Sequence, residues 1–223
     1  MPTMNGGQAL IQQLAAEGIR VVFGIPGQGQ YEAVDALYHH RTIRYISVRN
    51  EQATTYMADG YARASGEIAA ALVVQGPGLF NAAAGMATAH AVSSPLLLIT
   101  GPHHLDRKRG SDQSNQASPF LQELTKWSAR ATQPAEIPAL AHEAIHQLRS
   151  GRPRPVGLEI APAVFAASAD IEAIETTAPQ PEQLDAPTVE QATQLIRAAK
   201  RPVIWAGGGV QRAGAGKQVQ RLA

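Results

Sequence analysis

The sequence predicts an α/β fold built on a doubly wound parallel sheet of about six strands, with helices on both faces. Apolar runs of strand length alternate with stretches of helical period along most of the chain. The run at 68–74 is continuously apolar, which is typical of a strand buried on both faces of a parallel sheet. Because such sheets bind ligands at the carboxyl ends of their strands, we expect a functional site at that edge.

Each predicted strand is an apolar run bounded by turn residues, and the runs lie at 19–25, 43–48, 68–74, 95–100, 127–131 and 156–160. The first helix is expected between Asn5 and Gly18, since Asn5 and Gln8 have capping-box spacing and glycine commonly ends a helix. Further helices are expected around 33–37 and at 50–64, 81–92 and 137–148. A polar stretch at 103–118 predicts a long loop at the ligand edge.

The chain divides into a first domain over 1–165, a linker over 166–187 and the start of a second α/β domain over 188–223. The linker is rich in Pro, Ala, Thr and acidic residues and lacks an apolar period. After it, Thr188 and Gln191 have capping-box spacing, and 202–206 is predicted to be a strand. Since one strand and two helices cannot bury a core, we expect the front part of a longer protein, or a fragment.

Composition excludes several classes of function. The chain has 223 residues, 44% of them hydrophobic, and a net charge of +1, so nothing indicates a nucleic-acid or membrane surface. It has no cysteine, which excludes disulfides and zinc–thiolate sites. A secretory signal and a bilayer-spanning run are both absent, so the cytoplasm is the expected compartment.

Glu51 is the first candidate functional residue, because it follows a predicted strand and falls in the first turn of a helix that Asn50 can cap. A carboxylate in that position stabilises a helix through its dipole, which is a sufficient structural role. A catalytic role would need burial to raise its pKa against that dipole. Considered alone, the residue leaves both interpretations open.

Two glycine turns join strands to helices, and glycine there lets a ligand approach the backbone. They contain Gly24, Ile25, Pro26 and Gly27 in one case, and Gly76, Pro77 and Gly78, followed by Asn81, in the other. Each is also explained as a tight turn. The spacing of glycines at 27–29 and 207–209 lacks the third glycine of a dinucleotide fingerprint. In the polar loop, His103 and His104 are either proton donors or solvated side chains.

Several short motifs follow one another in a specific order along nearly the whole chain. They are Val-Phe-Gly-Ile-Pro-Gly at 22–27, Val-Arg-Asn-Glu-Gln at 48–52, Ala-Asp-Gly-Tyr-Ala-Arg at 58–63, Gly-Pro-Gly at 76–78, Lys-Trp at 126–127, Gly-Arg-Pro-Arg-Pro-Val at 151–156, Ala-Lys-Arg-Pro-Val-Ile at 199–204 and Ala-Gly-Gly-Gly at 206–209. In this order they resemble the N-terminal, pyrimidine-binding domain of thiamine-diphosphate enzymes of the acetohydroxyacid (acetolactate) synthase-like group, followed by the opening of the central domain.

The resemblance implies a role for each candidate residue. Glu51 would hydrogen-bond N1′ of the aminopyrimidine and so activate the cofactor for attack on a 2-oxo acid. The cofactor-binding residues would be Gly24, Ile25, Pro26, Gly27, Gly76, Pro77, Gly78 and Asn81. Gln113 is the candidate for a catalytic glutamine in the substrate loop. Three positions depart from the family pattern: Asn50 stands for a frequent histidine, and Gln28 and Arg154 each stand for a glycine.

The resemblance further implies decarboxylation or carboligation of a 2-oxo acid, with Mg²⁺ and diphosphate bound by a motif that this sequence does not contain. The second half of the site would come from another subunit of a homodimer or homotetramer, so this chain alone is expected to be inactive. FAD is bound by some relatives, and the sequence leaves its binding open. The alternatives are a simple 2-oxo acid decarboxylase, a non-catalytic nucleotide-binding module, which the glycines at 207–209 would favour, and a regulatory or assembly subunit.

Overall fold

The computed structural model describes residues 2–101, 117–176 and 184–223. Its chain forms two compact units, Met1–Thr177 and Ala178–Ala223. None of the described helices is both long and apolar enough to cross a membrane.

The first unit is built on a six-stranded sheet, and its strands confirm the six predicted from apolar runs. In chain order the strands are β1 (Thr3–Asn5), β2 (Val21–Gly24), β3 (Arg44–Ser47), β4 (Ala69–Leu72), β5 (Leu96–Thr100), β6 (Trp127–Ala131), β7 (Val156–Ile160) and β8 (Ser168–Asp170). The six-stranded sheet has the order β3-β2-β4-β5-β7-β6. All of its pairs are parallel, so all six strands end at the same edge.

Helices cover both faces of this sheet, as predicted. They are α1 (Gly6–Ala16), α2 (Tyr31–His39), α3 (Glu51–Ser65), α4 (Pro77–Val92), α5 (Ala117–Leu124), α6 (Ile137–Arg149) and the short α7 (Pro162–Ala166). Buried side chains of α1, α2 and α6 pack on one face, and those of α3, α4 and α5 pack on the other. Alternate residues of one strand serve both cores: Val22 points to the first and Phe23 to the second.

Helix starts follow local capping chemistry. The predicted capping box is confirmed, because Asn5 and Gln8 exchange side-chain-to-backbone hydrogen bonds of 2.8 and 2.9 Å. The predicted start of α4 at residue 81 is wrong, since the helix begins at Pro77. Proline fits the first helical position, where no intrahelical N–H bond is lost, and so the Gly-Pro-Gly turn forms part of the helix N-terminus.

A buried ion network ties α1 to α6. The Glu17 side chain is 1% exposed, and its Oε1 lies 2.6 Å from Nδ1 of His142. Its Oε2 accepts a hydrogen bond of 3.3 Å from Nη1 of Arg149. Gln13 also donates to Glu17 and exchanges two hydrogen bonds with the backbone of Ile174.

The linker predicted over 166–187 needs correction at its start. Residues 168–170 form β8, which pairs antiparallel with β1, and Ile171 is buried. The backbone of Ile174 is bound to Gln13, so this segment belongs to the first unit up to its last described residues. Backbone pairing with a distant strand gives no apolar period, which is why the sequence pattern resembled a linker.

Two predictions for the second unit are wrong. Its helix α8 (Ala186–Ala198) begins before Thr188, because Asp185 is the N-cap and accepts the Thr188 N–H at 3.0 Å. Residues 202–206 form no strand, and the other described elements of this unit are the helices α9 (Gly208–Arg212) and α10 (Gly216–Leu222). A strand needs a neighbour for its hydrogen bonds, and the described part of this unit offers none.

The predicted loop at 103–118 lies mostly outside the described residues. Its last two residues, 117 and 118, belong instead to α5.

Candidate active site

The carboxyl edge of the sheet contains a topological switch point between the neighbouring strands β2 and β4. The chain leaves β2 toward α2 on one face, whereas it leaves β4 toward α4 on the other. Diverging connections of this kind open a crevice in which α/β proteins bind ligands. Both glycine turns lie at this edge, because one follows β2 and the other follows β4.

Glu51 lies at the same edge, where the chain leaves the neighbouring strand β3. It is the first residue of α3, whose N-cap is Asn50, with the Asn50 side chain accepting the Gln52 N–H at 2.9 Å. The side chain is half-buried, and its Oε2 accepts a hydrogen bond of 3.1 Å from Nδ2 of Asn81 in α4. Among the described residues its Oε1 has no hydrogen-bond partner. The carboxylate is thus oriented through one oxygen and accessible through the other.

The glycines of the two turns allow close approach around Val74, which follows β4. A Cβ atom built on Gly27 would lie 2.3 Å from Cγ1 of Val74, and one built on Gly78 would lie 2.7 Å from its Cγ2. The same Gly78 position lies 3.6 Å from Oε1 of Glu51. Both turns and the carboxylate therefore meet around one valine, which any larger residue at 27 or 78 would displace.

Tyr45 of β3 lies behind the first turn. A Cβ atom on Gly24 would be 2.7 Å from the Tyr45 hydroxyl, so glycine is needed for this approach. The hydroxyl is buried without a hydrogen-bond partner among the described residues, and burial raises the pKa of Tyr45 to about 12. Tyr45 is therefore a neutral side chain packed against the first turn.

The two helices that carry Glu51 and Asn81 pack closely. Gly85 of α4 faces Thr55 of α3, and the Thr55 hydroxyl donates a buried hydrogen bond of 2.8 Å to the carbonyl of Ala82. This contact fixes the spacing between the helices, and thereby the hydrogen bond between their functional side chains.

The structure brings most of the sequence-predicted residues together at one edge. Glu51 and Asn81 are in direct contact, Gly78 lies beside them, and the turns with Gly24, Ile25, Pro26 and Gly27 and with Gly76 and Pro77 follow adjacent strands. Gln113, His103 and His104 fall outside the described residues. Val74 and Tyr45 were not predicted as site residues. The available signal was their position, since Val74 ends one apolar run and Tyr45 lies within another.

A carboxylate at a helix N-terminus thus lies beside two glycine turns at the switch point of a parallel sheet. This arrangement defines an α/β protein with a ligand crevice at its carboxyl edge. Comparison with known proteins then gives the family. The chain belongs to the thiamine pyrophosphate enzyme family through its N-terminal TPP binding domain, whose model matches residues 4–124. The resemblance drawn from the motifs is thereby confirmed.

Relatives along the whole chain point to the same group. The chain is 37% identical to a probable acetolactate synthase large subunit of Methanocaldococcus jannaschii, an alignment that covers 99% of this chain and 38% of the relative. It is 32% identical to the acetolactate synthase large subunit of Lactococcus lactis, over 94% of this chain and 37% of the relative. It is 36% identical to a probable 2-ketoarginine decarboxylase of Pseudomonas aeruginosa, over 95% of this chain and 39% of the relative. The chain thus spans well under half the length of these curated relatives.

Proposed function

We propose that this chain supplies the pyrimidine-binding half of a thiamine-diphosphate site, in which Glu51 hydrogen-bonds N1′ of the cofactor's aminopyrimidine. The observation that carries the proposal is the Glu51 carboxylate itself. Asn81 holds its Oε2, while Oε1 has no hydrogen-bond partner among the described residues and faces the glycine at position 78. A carboxyl oxygen that is open in this way can form a hydrogen bond with a ring nitrogen when the two share one proton.

The residues present fit a flat aminopyrimidine ring. A Cβ at Gly78 would lie in van der Waals contact with Oε1 of Glu51, at 3.6 Å, and would clash with Cγ2 of Val74 at 2.7 Å, so glycine keeps this part of the crevice free of a side chain. Gly76 is buried with a φ of +61°, a conformation that favours glycine and turns the backbone at this edge. The ring would be held by the backbone of Gly76 and Gly78 and by that of the first turn, Gly24, Ile25, Pro26 and Gly27. Pro77 begins α4, and Asn81 lies one helical turn further on.

The chain's own chemistry here is the placement of a charge and a proton. Glu51 is the first residue of α3, and its open Oε1 would share one proton with N1′ of the ring in a hydrogen bond. Asn81 keeps the carboxylate from rotating away from the ring. Thiamine diphosphate, when bound, supplies the electron sink for decarboxylation of a 2-oxo acid.

We propose an acetolactate synthase-like reaction, in which a 2-oxo acid is decarboxylated and joined to an acceptor. The names of two acetolactate synthase relatives support it, whereas the 2-ketoarginine decarboxylase relative favours the alternative of simple decarboxylation. Gln113 remains the predicted glutamine of the substrate loop. Mg²⁺ would be bound by ligands outside this chain segment. FAD binding and the cytoplasmic compartment remain predictions.

A homodimer or homotetramer would complete the site. Apolar side chains are exposed on the helices that carry Glu51 and Asn81: Tyr56 by 42%, Met57 by 40% and Phe80 by 41%. Apolar groups next to a half-site support association with a second subunit at this surface.

The test compares Glu51→Gln with Glu32→Gln in the full-length protein supplied with thiamine diphosphate, Mg²⁺ and pyruvate. Glu32 is a matched control because it is also an acidic residue in the first turn of a helix, α2. We expect Glu51→Gln to lose a factor of about 10²–10⁴ in turnover, the range for a positioned acid–base group, and Glu32→Gln to keep its activity. A C–C condensation product supports carboligation, and a free aldehyde supports the decarboxylase.

Equal turnover by wild type and Glu51→Gln would contradict the role of Glu51. If no variant consumes pyruvate, titration calorimetry with thiamine diphosphate decides: binding by the wild type that Glu51→Gln weakens supports the site with another 2-oxo acid. Absence of cofactor binding would favour the non-catalytic module.

A further inference from the structure

A group of basic side chains lies at the amino edge of the sheet, opposite the candidate active site. His90 is in the last turn of α4, Lys126 directly precedes β6, and Arg152 and Arg154 lie in the turn four and two residues before β7 begins. Because all six strands are parallel, these positions meet at the edge where strands begin. We call His90, Lys126, Arg152 and Arg154 the amino-edge basic cluster.

Hydrogen bonds hold parts of this cluster in place. Nε of Arg152 donates to Oγ of Ser93, at the C-terminus of α4, at 2.7 Å. Nζ of Lys126 donates to the carbonyls of Ser150 and Arg152 at 2.6 and 3.3 Å. Lys126 therefore braces the turn before β7, and the hydrogen bond of Arg152 to Ser93 holds this turn near the end of α4.

Within the part of the chain that the structure describes, the cluster has no acidic partner. Among the described residues, no acidic side chain forms an ion pair with any of the four. Burial and the charges of Arg154 and Arg152 hold the pKa of His90 below its usual range, and burial and Arg154 lower the pKa of Lys126. Arg152 and Arg154 thus act electrostatically on His90, and Arg154 acts on Lys126, with no carboxylate paired to them among the residues that the structure describes.

Arg154 is the member of the cluster with a buried hydrogen-bond donor that lacks an acceptor among the described residues. Its Nε is buried and has no hydrogen-bond partner among the described residues. A buried guanidinium N–H without an acceptor is unfavourable, and native proteins rarely leave one unpaired. Lys126 has a structural role in its two carbonyl contacts, whereas Arg154 makes no such contact. Arg154 is also a departure of this chain from the family pattern, in which a glycine precedes the second proline of the motif.

We propose that the amino-edge basic cluster binds the phosphate group of a small molecule. Guanidinium groups present parallel N–H donors that match phosphate oxygens, and two of them with an ammonium and an imidazole suit a multiply charged anion better than a single carboxylate. The site lies at the opposite edge of the sheet from Glu51 and is independent of the proposed cofactor role. The phosphate is either the free ion or part of a nucleotide.

The test is titration calorimetry of the full-length protein with inorganic phosphate, at an ionic strength held constant with chloride. Arg154→Gln removes the charge, and Arg41→Gln is the matched control, because Arg41 is exposed and forms no ion pair among the described residues. We expect Arg154→Gln to weaken phosphate binding roughly tenfold, as loss of one charge-assisted contact does, and Arg41→Gln to leave it unchanged.

Three results would overturn the proposal: no phosphate binding by wild type at millimolar concentration, equal binding by Arg154→Gln, or equal weakening in the Arg41→Gln control. Thermal melting of each variant without phosphate establishes that it is folded. A second titration with ADP and with adenosine distinguishes the sources. Tighter binding of ADP than of phosphate, with no binding of adenosine, assigns the site to a nucleotide phosphate, and equal affinities assign it to the free ion.

Discussion

Replacement of Gly85 by alanine should loosen the contact between the two helices that carry the candidate site. The new Cβ would lie 2.3 Å from Oγ1 of Thr55 and 2.8 Å from the backbone nitrogen of Tyr56. Rotation of Thr55 could relieve the first contact only by breaking its hydrogen bond to Ala82. The second contact involves backbone, so α3 and α4 must move apart.

The magnitude follows from two opposing effects. Alanine is favoured over glycine within a helix by about 1 kcal/mol. Overpacking of a tight site costs about 1–3 kcal/mol, and contact with a backbone atom places this site at the upper end. We therefore expect Gly85→Ala to lower the free energy of unfolding by about 1–2 kcal/mol.

Gly60→Ala is the matched control, because Gly60 lies within α3 and a Cβ there would meet no atom within 4 Å. It should raise the free energy of unfolding by up to about 1 kcal/mol through helix propensity alone. Urea denaturation followed by circular dichroism measures both variants. Equal midpoints for Gly85→Ala and Gly60→Ala would refute the packing argument.

Two further predictions concern charge. Glu17→Gln should lower the free energy of unfolding by about 1–3 kcal/mol. The loss is smaller than for a fully buried ion pair because the side chains of its partners His142 and Arg149 are 34% and 32% exposed. An unchanged urea midpoint would contradict this prediction. Hydrogen bonds from Thr132, first from its backbone N–H, lower the pKa of Glu136 below its ordinary 4.5. A carboxyl group whose pKa is lowered in the folded state stabilises the fold at pH values above its unfolded-state pKa. This stabilisation is lost as the pH falls through the folded-state pKa, so Glu136→Gln should flatten the loss of stability below about pH 4.5. Urea titrations at several acidic pH values measure this, and an identical pH profile in the variant would disprove it.

The sheet could be predicted because its strands are buried on both faces and are therefore apolar throughout, as Ala69–Leu72 and Leu96–Thr100 are. The short strands Thr3–Asn5 and Ser168–Asp170 could not, because three residues with one buried side chain in the first strand and none in the second leave no apolar pattern. Their pairing depends on residues more than 160 positions apart, such as Thr3 and Asp170. Local pattern cannot identify such a partner.

For the site, the sequence could indicate that the candidate residues share one edge of the sheet, but it could not indicate which side chains are in contact. Parallel strands place Glu51 and the glycine turns on one side of the sheet, which the alternation of elements already implied. The hydrogen bond between Glu51 and Asn81 depends on the spacing of α3 and α4, and this depends on Gly85, a residue with no motif around it. The Pro77 start of α4 was available from the preference of proline for the first helical turn.

The pairing of β1 with β8 has a consequence for folding order and for truncation. During synthesis β1 obtains its partner only after residue 170 has emerged, because β8 follows it by more than 160 residues. A protein cut at 165, at the end of the predicted first domain, would leave β1 without its partner strand and Gln13 without the Ile174 backbone. Since the two ends of this unit lie side by side, a circular permutant that joins them by a short bridge should retain the sheet and its carboxyl edge.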